Sequence, residues 1–495
     1  MRIFQIVNTL NFGDAIGNDV IAKKHVIEDM GIQTAVYAET IAAKVKEPGC
    51  YKIDHFPKLM PDDIIIYHMG NGSPLNTMVA ELHCRKIMVY HNITPYEFFA
   101  IDSPVAAESC RTGLEHMKGP MKGKFNSYIA DSEFNKQNMT DMGYKAEDIE
   151  VIPVCVPFDD YKQTPDKAMV SRLSDGITNI VFVGRIAPNK KHEDIIRAYT
   201  YYKKHVNPHS RLILVGSANQ TGMYYRDLME YIKELGTEDI VFPGHISFAE
   251  ILAIYRTAHV FLCMSEHEGF CVPLLEAMTF DVPVIAYDAC AVPETLGGSG
   301  IVVDDKDPAF LAKIMDVAAK DEALRSHIIR MQRERLKHFE YEHIKEMLQD
   351  YLRRFIEKFP PVTPDDETRP ARALYDMVER NLEAAGKTVP FTQDALVHST
   401  VRTAQTVDLT ELLNRNYSVR GMIEAVYLSC LNALPDKDAL SHWEAQAQTL
   451  SRTEFVKALI SSVVSAPQRG VMRVTFDPFP TAVLPESEEG GAAPA

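Results

Sequence analysis

Ser265-Glu266-His267-Glu268-Gly269-Phe270-Cys271-Val272-Pro273-Leu274-Leu275-Glu276-Ala277-Met278 is the stretch on which the reading of this chain turns. Just before it, Val260-Phe261-Leu262-Cys263-Met264 is short and wholly apolar, the pattern of a strand buried on both faces of a parallel sheet. Pro273 suits the first turn of a helix, where its missing N–H is no loss, and Leu274, Leu275, Ala277 and Met278 continue that helix. Strand, glycine-bearing turn and helix start aim unpaired backbone N–H groups at whatever lies above the strand's carboxyl end. A phosphate is the natural guest. Glu268 enters this mouth from the turn and Glu276 from the start of the helix. Carboxylates make poor anion ligands but good acceptors for sugar hydroxyls flanking a diphosphate.

Upstream, Asn179-Ile180-Val181-Phe182-Val183 reads as another buried strand, ending in Gly184-Arg185 and followed by Asn189-Lys190-Lys191. Gly184 permits a tight turn, Arg185 offers a planar fork of donors, and Lys190 or Lys191 adds a point charge. Two cations from one strand-end loop suit a diphosphate. Further strands are expected at Arg211–Val215 and Ile240–Ile246. Ser247-Phe248-Ala249-Glu250 is a capping box that opens a helix.

The first half repeats the alternation. A strand ending near Asn8 is followed by a loop with Gly13 and Gly17, a helix closed by Gly31, and a strand from Gln33 to Ala38. This is a βαβ unit of the doubly wound kind, with ligands expected at the strands' carboxyl ends. Two later strands end in His68 and His91, which places both histidines at the lip of the sheet. His91 is read either as a site residue or as a loop-stabilising one. The basic stretch Met117–Lys124 reads as a solvated loop, or as a patch that meets anionic lipid.

At 495 residues the chain is too long for a single core. Its net charge of −16 argues against a general nucleic-acid binder. Eight cysteines without a C-x-x-C pair read as reduced core residues of a cytosolic protein. Met1 leads straight into a strand without a signal peptide, and no apolar run approaches the roughly 18 residues of a membrane span. Pro360–Asp366 is a linker. Beyond it, Leu374–Ala385, Met422–Tyr427, Asp436–Trp443 and Phe455–Ile460 read as helices, and Pro485–Ala495 as a disordered tail.

The Glu-x7-Glu stretch closely resembles the signature of retaining glycosyltransferases of family 4, and Gly184-Arg185-x4-Lys190 resembles that family's donor-phosphate clamp. The other elements follow in the family's order over about residues 1–358. The resemblance departs from the family pattern at the first loop, where Gly13 and Gly17 replace paired glycines, and at Cys155, where glycine is usual. It implies the GT-B fold: α/β, with two Rossmann-like doubly wound parallel-sheet domains facing a cleft, here followed by an all-α module. The domains expected are 1–165 (acceptor side), 166–340 (nucleotide-sugar donor), 341–358 (crossover helix), 359–370 (linker), 371–475 (helical module) and 476–495 (tail). The module resembles a bacterial domain of unknown function of the 4214 type.

The activity implied is retaining transfer of a hexosyl group from a UDP- or GDP-sugar to a glycan or lipid-linked acceptor, in bacterial surface polysaccharide or lipopolysaccharide synthesis. The resemblance assigns catalytic roles to His91, Glu268, Arg185 and Lys190. It assigns donor binding to Gly13, Gly184, Lys191, Gly244, His245, Gly269, Phe270, Cys271, Val272 and Glu276. No metal and no cofactor are expected beyond the nucleotide sugar, since Arg, Lys and the helix start take over charge neutralisation. The partners implied are the donor and the saccharide acceptor, not nucleic acid. The membrane's inner face and a protein partner or second copy at the helical module complete the expected contacts. Two rival readings are a nucleotide-sugar-binding scaffold acting through that module and a GT-B nucleotide-sugar epimerase.

Overall fold

The computed structural model describes residues 1–362 apart from 12, 221 and 245, and beyond them 406–408, 419–431, 435–450, 452–464 and 473–475. The first sheet has seven strands: β1 (Arg2–Leu10), β2 (Gln33–Ile41), β3 (Cys50–Lys52), β4 (Ile64–Met69), β5 (Arg85–Tyr90), β6 (Ser127–Ala130) and β7 (Ile149–Val151). They lie in the order β3-β2-β1-β4-β5-β6-β7, every pair parallel. β4 and β5 are buried along their whole lengths, as continuous apolar runs in a central position require. Four helices belong to this sheet: α1 (Ala15–Asp29), α2 (Pro74–Glu81), α3 (Pro104–Lys118) and α4 (Glu133–Asp141). α1 starts where the Asp14 side chain accepts from Gly17 N, and stops before Gly31, whose φ of +71° lies in the left-handed region open to glycine.

The second sheet has the order β10-β9-β8-β11-β12-β13, also parallel. Its strands are β8 (Thr178–Val183), β9 (Ser210–Val215), β10 (Ile240–Val241), β11 (Val260–Cys263), β12 (Val284–Tyr287) and β13 (Ile301–Val303). Its helices are α5 (Lys167–Leu173), α6 (His192–His205), α7 (Met223–Leu235), α8 (Phe248–Thr257), α9 (Val272–Thr279), α10 (Val292–Leu296), α11 (Pro308–Lys320) and α12 (Glu322–Leu336). Val154, Val156 and Tyr161 already pack in this domain's core. The strand order reverses between β1 and β4 in one sheet and between β8 and β11 in the other, and these switch points are where open sheets bind ligands.

α13 (Tyr341–Lys358) returns to the first domain. Its Ile344, Leu348, Leu352 and Phe355 join Ile3, Val26, Ile64 and Ile87 in one core. The residues that follow are tied down. Arg85 Nη1 donates to the Phe359 carbonyl at 3.1 Å, and Val362 N donates to the Pro61 carbonyl at 3.0 Å.

Further along the chain, α14 (Val419–Leu431), α15 (Lys437–Gln446) and α16 (Arg452–Val464) come together around the sole tryptophan. Trp443 Nε1 donates to Tyr427 Oη at 3.2 Å, and its ring meets Phe455 edge-on. A short parallel pair, β14 (Thr406–Asp408) with β15 (Arg473–Thr475), adds strand to a segment read as helical. The helix read at 374–385 and the tail at 476–495 lie outside the described residues. Elsewhere β1 runs past Asn8 to Leu10, and the strand read at 240–246 is only two residues long.

Candidate functional site

The carboxyl ends of the two sheets face each other across a cavity of about 390 Å³. From the first domain, Ile16 on α1, Gly70 and Asn71 after β4, His91 and Asn92 after β5, and Asp131 after β6 line it. From the second come Arg185 and Lys190 after β8 and the run Glu268–Pro273 after β11. The switch points of both sheets therefore open into one space.

Its cations differ in their engagements. Arg185 is exposed and has no ion-pair partner among the described residues. Lys190 Nζ lies 2.6 and 2.7 Å from the two oxygens of Glu268. Burial opposes the charge on Lys190, but Glu268 outweighs it and raises the ammonium above its ordinary value. Lys191 turns elsewhere. Its φ of +52° puts the backbone in the left-handed region, and its Nζ meets Glu266 Oε2 at 2.9 Å instead of lining the cavity. α9 begins at the cavity wall without a side-chain cap. Pro273 has no N–H and Leu274 N donates to the Cys271 carbonyl at 3.1 Å, so Val272 N is the donor of this helix start that is left for a ligand.

The loops that build the cavity are strained and close-packed. Asn92 and Cys271 line it with φ values of +69° and +71°. Strain of this kind concentrates at functional sites. At Gly269 an added Cβ would lie 2.5 Å from the Asn92 Cβ, so the two domains approach to a distance only glycine allows. Polar contacts hold that approach. Ser132 Oγ donates to the Gly269 carbonyl at 2.8 Å. Asn92 Nδ2 donates to Asn135 Oδ1, which leaves Asn92 Oδ1 to accept from His267 Nε2 at 2.6 Å. Burial chiefly pushes His267 down to about 4, so this ring is neutral and has one N–H to give.

The histidines are more deeply placed than their strand-end positions suggest. His68 lies inside β4 and is buried, not at the lip of the sheet, because β1 and β5 flank it on both sides. His91 lines the cavity, but its Nδ1 meets Asp131 Oδ2 and its Nε2 meets His68 Nδ1, both at 2.8 Å. Burial alone would lower His91. The charge and hydrogen bond of Asp131, with Asp19 behind, outweigh it and raise the ring above the usual histidine value.

Glu276 is half-buried and does not line the cavity. It accepts from Tyr161 Oη at 2.9 Å and Tyr255 Oη at 2.6 Å. Burial raises its carboxyl above the usual range, although both hydroxyls favour the charged form. Gly13, Gly184 and Gly244 do not line the cavity either, and His245 lies outside the described residues. Gly184 has no left-handed φ. What constrains it is space, since a Cβ would sit 3.0 Å from the Phe182 ring.

Among the described residues, two clusters bring three metal-capable ligand atoms within 4.8 Å of one another: Asp19, His68 and His91, and Cys263, Glu268 and Cys271. In each, a lysine already holds the carboxylate: Lys23 pairs with Asp19, and Lys190 with Glu268.

Sequence reasoning missed Asp131, Asn189 and the tyrosine pair on Glu276. Asp131 stands directly before the N-cap Ser132 at a strand end, which was the available signal. Asp131 Oδ1 and Asn189 Oδ1 are both buried without a hydrogen-bond partner among the described residues, in residues that line the cavity from opposite domains.

The family described as Glycosyl transferases group 1 matches residues 167–335, the second domain. Among curated proteins, O-antigen chain mannosyltransferase B of Escherichia coli is 29% identical over 129 residues, 26% of this chain and 33% of that protein. The GDP-mannose-dependent alpha-(1-6)-phosphatidylinositol monomannoside mannosyltransferase of Mycolicibacterium smegmatis is 31% identical over 172 residues, 32% of this chain and 44% of that protein. The chain thus spans less than half the length of these relatives. Among solved structures, Anabaena Alr3699/HepE in complex with UDP-glucose superposes with a TM-score of 0.55 at 17% identity, over 72% of this chain and all of that one. Sucrose-phosphate synthase from Thermosynechococcus elongatus does so with a TM-score of 0.57 at 18% identity, with the same coverage. The fold is GT-B.

Proposed function

We propose that this chain, whose residues 167–335 form a group 1 glycosyl transferase domain, acts as a whole as a retaining glycosyltransferase that moves a hexosyl group from a nucleotide-diphosphate sugar to a glycan or lipid-linked acceptor. The observation that carries this reading is the convergence of Arg185, Lys190 and the uncapped start of α9 on one cavity at the switch points of both sheets. Together they supply a guanidinium, an ammonium and the Val272 backbone N–H to a departing diphosphate. With that charge neutralised by the protein, transfer proceeds without a metal ion.

In this reading Lys190 bridges the diphosphate and Glu268, and Glu268 faces the transferred sugar. Glu276, fixed by Tyr161 and Tyr255, accepts from the ribose at the cavity's edge. The acceptor hydroxyl oxygen forms its bond to the anomeric carbon on the face the diphosphate leaves. The C–O bond to phosphate breaks, and the departing phosphate oxygen takes the hydroxyl proton. Curated relatives named as mannosyltransferases favour a mannosyl donor in surface-glycan synthesis. Among the described residues no helix is long and apolar enough to cross a membrane. In this reading a lipid-linked acceptor is met at the membrane's inner face.

The test is a thermal-shift panel with UDP, GDP, ADP, CDP and dTDP on the wild type and on Arg185→Ala. A nucleotide at 100 times its Kd adds about 2.7 kcal/mol of stability. One nucleotide should raise the wild-type Tm and leave Arg185→Ala unmoved. No shift with any of the five would sink the reading and turn attention to the C-terminal helices.

A further inference from the structure

Beneath the first-domain wall of the cavity runs a buried polar chain that diphosphate binding does not use. Gln5 Nε2 donates to the Val20 carbonyl at 3.0 Å, which leaves its Oε1 as the acceptor facing His68 Nε2 at 2.9 Å. That nitrogen therefore carries a proton. Burial first, then His91 and Lys23, hold His68 well below the ordinary histidine value, so the ring is neutral and its Nδ1 is a lone pair. His91 Nε2 must then donate to it, and His91 Nδ1 and Asp131 Oδ2 share one further proton. Both nitrogens of His91 are spent inside the protein.

Asp131 stands at the end of this chain. It is 3% exposed, lines the cavity, and has one oxygen on His91 while Oδ1 lacks a partner among the described residues. Leaving a buried acceptor unsatisfied carries its full desolvation penalty, so such an atom calls for a donor. The charges around it balance: Lys23 pairs with Asp19, and the His91 ring faces Asp131. A cation therefore has little to gain there, and a phosphate would be repelled by the carboxylate. A neutral hydroxyl fits. Asp131 also adjoins Ser132, whose Oγ holds the Gly269 carbonyl next to Glu268, so it sits beside the loop read as facing the transferred sugar.

We propose that Asp131 Oδ1 accepts a hydrogen bond from a hydroxyl of the donor's sugar, making Asp131 a sugar-binding residue supplied by the first domain. This rests on reading the cleft as a nucleotide-sugar site.

The experiment is calorimetric titration of the full chain and of Asp131→Asn with GDP and GDP-mannose, and with UDP and UDP-glucose. Asp131→Asn keeps the side chain's shape and an oxygen for His91. It should bind the nucleoside diphosphate within about twofold of wild type, yet bind the corresponding nucleotide sugar at least tenfold more weakly. Unchanged nucleotide-sugar affinity overturns the proposal, and so does equal weakening of nucleotide and nucleotide sugar. A wild type that binds none of the four ligands brings down the nucleotide-sugar reading itself, and the proposal with it. Should Asp131→Asn fail to fold, Asp131→Glu, which shifts the carboxylate by one methylene, is held to the same outcomes.

Discussion

Lys190 and Lys191 are neighbours with the same charge, and the backbone gives them different tasks. The left-handed turn at Lys191 sends it to Glu266, while Lys190 stays at the cavity on Glu268. Histidines divide in a similar way. His267, pushed to about 4, and His192, pushed to about 3, are neutral chiefly because burial disfavours their charged forms, whereas His91 is raised. The signs of their linkage to folding are opposite. For His267 and His192 the unfolded chain binds a proton near pH 6.5 that the fold refuses until far lower pH. Their contribution is present above about 6.5 and lost as pH falls toward the folded values. For His91 the contribution is present below about 6.5 and lost as pH rises through its higher folded value. Denaturant unfolding of wild type and His267→Asn between pH 7 and 4 should show the wild type losing on the order of 3 kcal/mol more than the variant. Parallel curves would show that His267 is not buried as a neutral ring.

At the scale of elements, the cleft is fastened through helix ends. Glu294 on α10 accepts from Glu133 N at 2.7 Å and Phe134 N at 3.1 Å, so a second-domain carboxylate satisfies the first turn of α4, a first-domain helix. Ser132 caps the same helix from its own domain and also reaches Gly269. Asp102 accepts from Tyr224 N, at the start of α7, at 2.6 Å. The Glu294 and Asp102 bonds each join a helix start that lacks intrahelical partners to a group across the cleft. The domain closure thus costs little beyond what the helices already needed. Glu294→Ala should lose about 1 kcal/mol of capping and open the cleft. Small-angle scattering without ligand is expected to show a larger radius of gyration than wild type, with the difference shrinking on addition of the nucleotide. Identical scattering would remove Glu294 from the fastening.

For the whole molecule, the C-terminal helices rest on the second domain and not on the cleft. Val419 N at the start of α14 donates to Glu234 Oε1 on α7 at 3.3 Å, and Gly421 lies so close to Asp227 that a Cβ would be 1.8 Å from its Oδ1. Met422, Ile423 and Val426 are buried on this segment. α7 carries Tyr224, whose hydroxyl accepts from His192 N and donates to Glu193, so the C-terminal helices brace the helix behind the Lys190 loop. A chain ending at residue 362 should melt lower, by about 2–4 °C for each kcal/mol lost, while keeping its nucleotide-induced shift. Loss of that shift would make the C-terminal segment part of the nucleotide site.

Two parallel sheets, the loops after β8 and β11, the capping box at Ser247 and the returning helix at 341–358 were all legible in the sequence. Each is written locally: an apolar run fixes a buried strand, a cap fixes a helix start, and the alternation of the two fixes a doubly wound domain. Tertiary structure alone decided which lysine reaches the cavity and that Tyr161 and Tyr255 hold Glu276. It also decided that His68 is a buried link and that Asp131 ends the polar chain from Gln5. These depend on groups far apart in the chain, such as His91 with Asp131 or Tyr161 with Glu276, and on backbone conformations such as that of Lys191. Hydrogen-bond direction and burial are properties of such meetings, and no spacing along the chain encodes them.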